Sequence, residues 1–492
     1  MAEIYDLRSF LDVLTQHGQL SRISKPVSII HEAADVGATI ERTGAAAPLF
    51  EHIYDEEVGE VGEVEKVQKV LNVQNLTNLT NLNNLPNVPT LQTPFTGWRL
   101  FSSAVANQER VALALGCNKE QVTAKMAFAL EPANAIKPVL TENAPWKKNV
   151  ITDLNKIDVN TLPIPKHAVG DGGKFITGGV IVSKHPDTGI GNLGYNRMEI
   201  LGPRTFGMNI NQWRDVQRAH AAAEALDKPL GIAVAIGLDP AIMIAAGCKY
   251  EGDENQIAGA IRGRPIEVTR GLTVDVDTIP AHAELVIEGN ILPGVRREEG
   301  PLAEFHGYYG EPWASPVFEV TAIGQRDNPI YQTIVPGWNE HIYIGNVLPR
   351  EPLLMRFASH ASKNVQAVHI PPYTNGFLVV VQLAKKTNMG EPRNVALGAF
   401  AAHPNFRVCV VVESDVNIYD PSDLMWALTT RVDWGRDTFT IPFAQGHEMD
   451  PANDSKGIGT KIGIDATFDK GRRPYGARVS YPMLELAKYL SS

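Results

Sequence analysis

Apolar residues at Leu7, Phe10, Leu11 and Leu14 recur at the spacing of one helical face, so residues 5–18 are expected to form a helix that stops near Gly18. The QLSRISKPVSI that follows reads as a strand, and residues 32–45 read as a second helix. Between residues 54 and 97 the pattern changes: the segment opens acidic and then repeats a three-residue unit, NLTNLTNLNNLPNVP. A period of three lays its apolar positions along neither a strand face nor a helix face. It is also much shorter than a leucine-rich repeat. A surface insertion without chemistry is the expectation there. Its two Asn-Leu-Thr sequons, at Asn75 and Asn78, matter only in a secreted chain.

From Lys174 the pattern turns to strands. KFITGGVIVSKH and NLGYNRMEIL are two extended runs separated by PDTGIG, a hairpin signal. A helix is expected from about Trp213 to Leu226, then a buried strand GIAVAIG and a short helix from Pro240. Further strands fall at AELVIEG, VFEVTAIG and IYQTIVP, the last two joined by Arg326, Asp327 and Asn328. Past residue 345, helical stretches alternate with the apolar strands FLVVVQL and RVCVVVE, the pattern of an α/β domain. The expected class is therefore α/β (α+β). It comprises an N-terminal α/β region over 1–120 that carries the 54–97 insertion, a central antiparallel β-barrel domain over 121–335, and a C-terminal α/β domain over 345–492.

Composition changes this picture little. A chain of 492 residues with 44% hydrophobic and 20% charged residues can build more than one core. The net charge of -10 argues against non-specific nucleic-acid binding, which needs clustered Lys and Arg. No basic region followed by an apolar run opens the chain, and no apolar run reaches the length that spans a bilayer. Cys117, Cys248 and Cys409 are widely separated and odd in number, which fits a reduced cytoplasm better than a disulfide framework.

Three polar constellations stand out. In REEGPLAEFHGYYG (297–310), Glu299 and Glu304 flank Gly300-Pro301, so both carboxylates are expected on a shaped loop. Two carboxylates beside a cation can divide the work of proton donor and anchor when their surroundings push their pKa values apart. A solvated acidic turn has the same spacing. In GNLGYNR (191–197), Asn192 offers an amide oxygen, Gly194 permits close approach of a ligand, and Arg197 supplies a planar cation for a carboxylate or phosphate. Asn and Gly are equally ordinary at a hairpin end. In GDENQIAGAIRG (252–263) the acidic residues precede a helix start, where they can cap it. Glu254 can instead serve, with Asn192, as a hard oxygen ligand for magnesium or manganese. GDGG at 170–173 lacks the strand, spacing and helix of a dinucleotide site. His306, His341 and His447 show no metal-ligand spacing.

Taken together, the ordered motifs YDLRSFLDVLTQHGQLSRISKPV, HAVGDGGKFITGGV, NLGYNRMEILG, EEGPLAEFHGYYG, MWALTTRVDWGRDT and GIGTKIGIDATFD resemble the UbiD decarboxylases nearly end to end, apart from 54–97. The resemblance implies a central split β-barrel of flavin-reductase type and a C-terminal domain that makes a homodimer or a higher homo-oligomer. It also implies prenylated FMN as cofactor, a divalent metal (usually manganese), a monovalent cation (potassium) and a flavin prenyltransferase as cofactor supplier.

Residue by residue, the resemblance makes Arg197, Glu299 and Glu304 the catalytic set. Asn192, Gly194, Tyr195, Asn196 and Arg197 lie against the flavin, Glu254 is a metal ligand, and Lys385 (or its neighbour Lys386) binds the flavin phosphate. The backbone near Ala245, Ala246 and Cys248 corresponds to the monovalent-cation site. One position departs from the family. Where a histidine is the usual third metal ligand, about eighteen residues after the arginine, this chain has Asp215, with Arg214 and Trp213 as neighbours and Arg214 able to contribute to the phosphate site. An aspartate is itself a sound ligand for a hard ion.

In the implied chemistry the cofactor takes up the electrons of the departing carboxylate, Glu304 then protonates carbon, and Arg197 orients the substrate. Trp338, Asn339 and His341 fall in the segment that shapes the family's substrate pockets. Their polarity suggests a pyrrole- or indole-type acid, with a phenolic or acrylic acid as the alternative. The contrasting classes are a non-catalytic flavin-binding accessory protein and a flavin oxidoreductase. The first leaves the Glu-Arg-Glu set without purpose, and the second lacks a nicotinamide site.

Overall fold

The computed structural model describes residues 3–56, 95–212, 214–468 and 478–479, so the three-residue repeat and Trp213 lie outside the described residues. The described residues divide into two compact units. The first lies within Met1–Leu353, Pro372–Gly376 and Met449–Pro451, the second within Leu354–Pro371, Phe377–Glu448 and Ala452–Ser492.

The first unit opens with α1 (Leu7–Gln16), which buries Leu7, Phe10, Leu11, Val13 and Leu14. Asp6 Oδ1 accepts the Ser9 N–H at 2.8 Å and caps its first turn. The single strand expected after it is two, β1 (Leu20–Ile23) and a two-residue piece at Val27–Ser28. Pro26 between them has no N–H to give a ladder. After α2 (Glu32–Thr43), β2 (Ala47–Phe50) and β3 (Arg99–Phe101) build a small sheet with β1. The edges of the expected insertion belong to this core, since Phe95 and Trp98 are buried. α3 (Gln108–Leu115) and α4 (Val122–Leu130) follow.

The central element is a nine-stranded sheet. Its strands are β4 (Asn149–Ile151), β5 (Phe175–Ile176), β6 (Val180–Lys184), β7 (Gly191–Tyr195), β8 (Met198–Gly202), β9 (Thr205–Met208), β10 (Leu230–Ile236), β11 (Leu285–Glu299) and β12 (Trp313–Gln325). They run in the order β7–β6–β10–β11–β12–β9–β8–β5, with β4 paired to β12, and every pairing is antiparallel. The run NLGYNRMEIL, read as one strand, is in fact β7 and β8, which lie far apart in that order yet are joined by Asn196 and Arg197 alone. Two residues span only about 7 Å, so the sheet must curl until its far strands meet. Arg197 therefore stands at the seam of a half-barrel.

Three helices pack around this sheet: α5 (Asp215–Glu224), shorter than the expected 213–226, α6 (Pro240–Ala246) and α7 (Asn255–Arg262). IYQTIVP does not pair with VFEVTAIG. Its strand, β13 (Ile330–Gln332), runs parallel to β3 in the small sheet. The reason lies in the connecting turn, where Arg326 Nη1 bonds Asp6 Oδ2 at 2.8 Å and Arg8 bonds the Asp327 and Asn328 carbonyls, so the chain is drawn to the cap of α1. The expected regions 1–120 and 121–335 share one apolar core, in which Val27, Phe50 and Leu100 join Ile232, Ile287 and Phe318. The unit continues into α8 (Asn339–Ile342) and the helix α9 (Leu348–Ala361), within which the second unit begins.

The second unit is a five-stranded mixed sheet: β14 (Val365–His369), β15 (Leu378–Leu383), β16 (Val408–Glu413), β17 (Thr438–Gln445) and β18 (Ile458–Asp465), in the order β14–β15–β16–β18–β17. β15, β16 and β18 are parallel, and α10 (Glu391–Ala402) makes the crossover from β15 to β16. Val380, Val410 and Ile464 pack with Leu424 and Ala427 of α11 (Pro421–Arg431) into a separate core. No helix among the described residues is long and apolar enough to cross a membrane.

Candidate active site

Glu299 is not on a loop: it is the last residue of the long strand β11, and its side chain is completely buried. Gly300, at φ +103°, takes a backbone conformation that favours glycine and turns the chain away. Leu302–Ala303 then pairs with Tyr309–Gly310 and sets Glu304 opposite Arg197. Arg197 Nε donates to Glu299 Oε1 at 2.7 Å and Nη2 to Glu299 Oε2 at 3.1 Å, while Nη1 donates to Glu304 Oε1. One guanidinium thus holds both carboxylates, one through a two-bond fork and the other through a single bond.

The surroundings of the two glutamates differ. Glu299 also has the Asn209 amide at 3.4 Å and the Ser315 hydroxyl at 3.5 Å. Glu304 has its pKa raised by burial, against the lowering effect of Arg197, and the charge of Glu299 raises it further. Burial by itself would lower the pKa of Arg197, but its bonds to Glu299 and the charges of both glutamates outweigh this and raise it. The arrangement is a fixed cation flanked by an anchored carboxylate and a carboxyl group that readily keeps its proton.

GDGG, which carried no role in the sequence, supports this loop. Asp171 accepts the N–H groups of Ala168 (2.7 Å) and Ala303 (3.0 Å), and Gly172 N–H donates to the Pro301 carbonyl. A Cβ on Gly172 would meet the Gly300 carbonyl at 2.4 Å, so no larger residue fits there. Glu199 Oε2 takes the Gly300 N–H at 2.7 Å. The sequence signal for Glu199 was only its alternation with Arg197 next to β8.

The residues expected to hold the flavin and its ion sit on neighbouring elements. Glu254 does not cap α7: Asp253 accepts the Asn255 N–H, while Glu254 Oε2 reaches across to the Leu193 N–H at 2.6 Å, beside Asn192 on β7. Burial drives the Glu254 pKa up to about 8, so an adjacent cation would favour its ionised form. A Cβ on Gly194 would meet nothing nearer than Asn192 Nδ2 at 3.7 Å, leaving room on that side of β7. Asn196 donates to the Asn209 carbonyl, but its own buried Oδ1 has no partner among the described residues. Tyr195 donates to the Met243 carbonyl on α6.

Asp215, at the first turn of α5, is paired with Arg218, and α5 packs against β7. Among the described residues no three His, Cys, Asp and Glu side chains cluster to hold a metal, so an ion here would depend on the Asn192 amide as well as the two carboxylates. This donor set fits a hard divalent ion, and the open, orphaned polar edge of β7 fits a bound flavin. At the end of α6 the Ala245 carbonyl already accepts the Cys248 N–H, and burial pushes the Cys248 thiol up to about 12. Lys385 and Lys386 belong to the second unit. Lys386 Nζ lies 3.9 Å from Asp465, and the Lys385 side chain is exposed.

Of the three residues expected to shape the substrate pocket, two turn elsewhere. Trp338 packs on Ala34, Ala38 and Val335 with Arg42 over its ring, and Asn339 Nδ2 donates to the Glu41 carbonyl. His341 has its ring edge-on to Phe305, the residue after Glu304, at 6.4 Å. Periodicity could not show this, because Trp338 precedes the helix and a π-helical turn at Tyr343–Val347 interrupts the regular repeat between α8 and α9.

A buried acid pair anchors α8. Glu340 accepts the Ser103 and Val105 N–H groups (2.8 and 3.0 Å), while Glu41 accepts the Glu340 N–H (3.0 Å) and the Ser103 hydroxyl (2.8 Å). Burial raises both pKa values, and the Glu41 charge raises that of Glu340 further. The shared proton belongs on Glu41, because the Ser103 hydroxyl can accept as well as donate, whereas both Glu340 oxygens face N–H donors. Glu41→Gln is expected to keep every bond and to gain stability over the parent as pH rises above the usual carboxyl range, where the parent must ionise a buried acid. Glu340→Gln turns an amide NH2 on a backbone N–H and should cost about 1–3 kcal/mol. Thermal melts at pH 5 and pH 8 separate the two. Equal losses at both pH values for the two variants would contradict this placement of the proton.

Comparison with known proteins agrees with this geometry. Models of the UbiD, or 3-octaprenyl-4-hydroxybenzoate carboxy-lyase, domains match residues 11–130 (N-terminal), 137–339 (Rift-related) and 343–466 (C-terminal). Anhydromevalonate phosphate decarboxylase of Methanothermobacter thermautotrophicus is 31% identical over 75% of this chain and 85% of its own. A phenolic acid decarboxylase of Streptomyces sp. is 30% identical over 94% and 92%. The UbiD-class enzyme HmfF of Pelotomaculum thermopropionicum, solved with FMN, superposes with TM-score 0.84 at 32% identity over 99% of this chain and 100% of that one, and an evolved dimeric form of it has been solved with prFMN. With three domain models in chain order and a two-glutamate clamp on one arginine, the chain belongs to the UbiD family of carboxy-lyases.

Proposed function

We propose that this chain decarboxylates an aromatic or heteroaromatic acid non-oxidatively and reversibly with prenylated FMN. The observation that carries the reading is the unequal pair of glutamates on Arg197. Arg197 binds and orients the leaving carboxylate, Glu299 fixes the guanidinium plane, and Glu304 delivers the proton to carbon after CO2 has gone. Prenylated FMN, when bound, supplies the sink for the electron pair that CO2 leaves behind. Asn192, Gly194, Tyr195, Asn196 and Arg214 would line its site. Asn192, Asp215 and Glu254 would hold a manganese ion, and the backbone at Ala245, Ala246 and Cys248 a potassium ion.

A pyrrole- or indole-type ring suits the polar His341 side of the site, and a phenolic acid is supported by the Streptomyces relative. We read the nine-stranded sheet as a split barrel of flavin-reductase type and the second unit as the oligomerisation domain. The evolved dimeric form of HmfF supports a homo-oligomer. The free thiols Cys117, Cys248 and Cys409 suit a reducing cytoplasm. The deciding experiment is anaerobic CO2 release from a panel of acids, without nicotinamide, by protein co-produced with a flavin prenyltransferase. Release by protein carrying only FMN, or from no acid at all, would overturn the reading.

The metal assignment has its own test. Asp215→Ala removes one carboxylate from the proposed ion and frees Arg218, so both manganese and flavin content of the purified protein are expected to fall together. Elemental analysis and flavin absorbance check it. Full content of both would take Asp215 out of the site.

A further inference from the structure

Glu304 stands at the corner of a tight hairpin. Its N–H donates to the Tyr308 carbonyl at 2.9 Å, and the Gly307 N–H returns to the Glu304 carbonyl at 3.0 Å. The strands of this hairpin, Leu302–Ala303 and Tyr309–Gly310, are only two residues each. A two-stranded hairpin is marginally stable by itself in water, so its shape has to be fixed from outside.

The loop Ala168–Gly173 grips it on both strands. On the outgoing strand, Gly172 N–H donates to the Pro301 carbonyl at 2.8 Å and Ala303 N–H to Asp171 Oδ1 at 3.0 Å. On the returning strand, Gly170 N–H donates to the Tyr309 hydroxyl at 2.9 Å. The Tyr309 ring lies so close over Gly170 that a Cβ there would meet its Cζ at 2.6 Å. Tyr309 is 47% exposed, so core packing does not account for its place over the loop. The next residue, Gly310, passes directly over the reacting pair: a Cβ on it would meet Arg197 Nη1 at 3.1 Å and Glu304 Cγ at 3.2 Å. A shift of the returning strand is therefore felt at Glu304.

We propose that Tyr309 is a positioning residue for the proton transfer. With Asp171 on the other strand, it grips the hairpin so that the Glu304 carboxyl is held where its proton reaches carbon. The inference rests on the decarboxylase reading and deepens it, since it extends the working parts from the Glu-Arg-Glu set to the loop that holds one of them.

The test uses enzyme co-produced with a flavin prenyltransferase, on the acid that the parent decarboxylates best. Tyr309→Phe keeps the ring over Gly170 and removes the acceptor. Losing one hydrogen bond that fixes a reacting group is expected to lower kcat by roughly three- to thirtyfold. KM should stay as in the parent, because Arg197 remains forked to Glu299. Tyr309→Leu loses the ring as well and should lose more. Hydrogen exchange of the peptide spanning Gly300–Gly310 should quicken in both variants. The deciding comparison repeats Tyr309→Phe in the Glu304→Gln background. A residue that acts through Glu304 then has nothing left to position, so the two losses should not multiply.

A loss in Tyr309→Phe as large in the Glu304→Gln background as in the parent overturns the proposal, since it assigns Tyr309 to Arg197 or to stability at large. So does an unchanged kcat, or a loss confined to KM. Unchanged protection of the hairpin in both variants overturns it whether or not any acid is decarboxylated. CO2 release by the parent together with independent losses would sink this inference and leave the decarboxylase reading standing. Quicker exchange in both variants with no CO2 from any acid would sink the decarboxylase reading, and the proton-transfer role with it, while leaving the grip itself.

Discussion

Glu304→Gln is expected to lower turnover by roughly 100- to 10,000-fold, the range typical of a lost general acid, while flavin and acid binding persist. The substitution keeps the length of the side chain, and its amide oxygen can still accept from Arg197 Nη1, so the clamp on the guanidinium survives. What it removes is a proton that can leave. In the parent, burial raises the Glu304 pKa, and the Glu299 charge raises it further, so the acid form persists to higher pH than in a free carboxyl group. The sign follows: parent activity should fall as pH rises through that raised value, and the residual activity of the variant should lose this limb. Exchange of the product's ring hydrogen in D2O uses the same proton path and should disappear as well. A variant that exchanges and turns over normally would move the proton to water or to Glu299.

The same residues show how far the sequence could be read. Helix α1 and the buried strand β10 were legible because one face, or one apolar run, carries all the information. The motif pieces around Arg197, Glu299 and Glu304 were legible as a resemblance, since their order along the chain is unusual. What the chain could not announce was long-range closure. β7 and β8 read as one run because only the sheet order, with its far strands brought together, shows a break at Asn196 and Arg197. The place of β13 in the small sheet was hidden because Arg326 and Arg8, which draw the chain there, reach residues more than 300 positions away in sequence. The contacts of Trp338 with Ala34 and Ala38 and of Asn339 with Glu41 were not legible because Trp338 precedes the helix and a π-helical turn at Tyr343–Val347 interrupts its regular repeat.

The largest stability effect is expected at Arg197. Glu299 is completely buried, and among the described residues its only short bonds are the two from this guanidinium, while Asn209 and Ser315 stand at 3.4 and 3.5 Å. Arg197→Met keeps most of the apolar stem and strands the carboxylate. Breaking a buried pair from one side costs about 3–5 kcal/mol, more than the pair contributes against an apolar replacement, because an uncompensated charge stays behind. Removing the second charge should reverse most of it: Arg197→Met/Glu299→Gln leaves a neutral amide that can still bond Asn209 and Ser315. Hydrogen exchange of peptides spanning β11 and β12 reads this locally, in the strands that carry Glu299 and Ser315. Both variants should be inactive, so activity cannot tell them apart and protection must. A defect in Arg197→Met that the added Glu299→Gln leaves in place would mean that Arg197 holds the half-barrel seam through the packing of its stem and not through its charge.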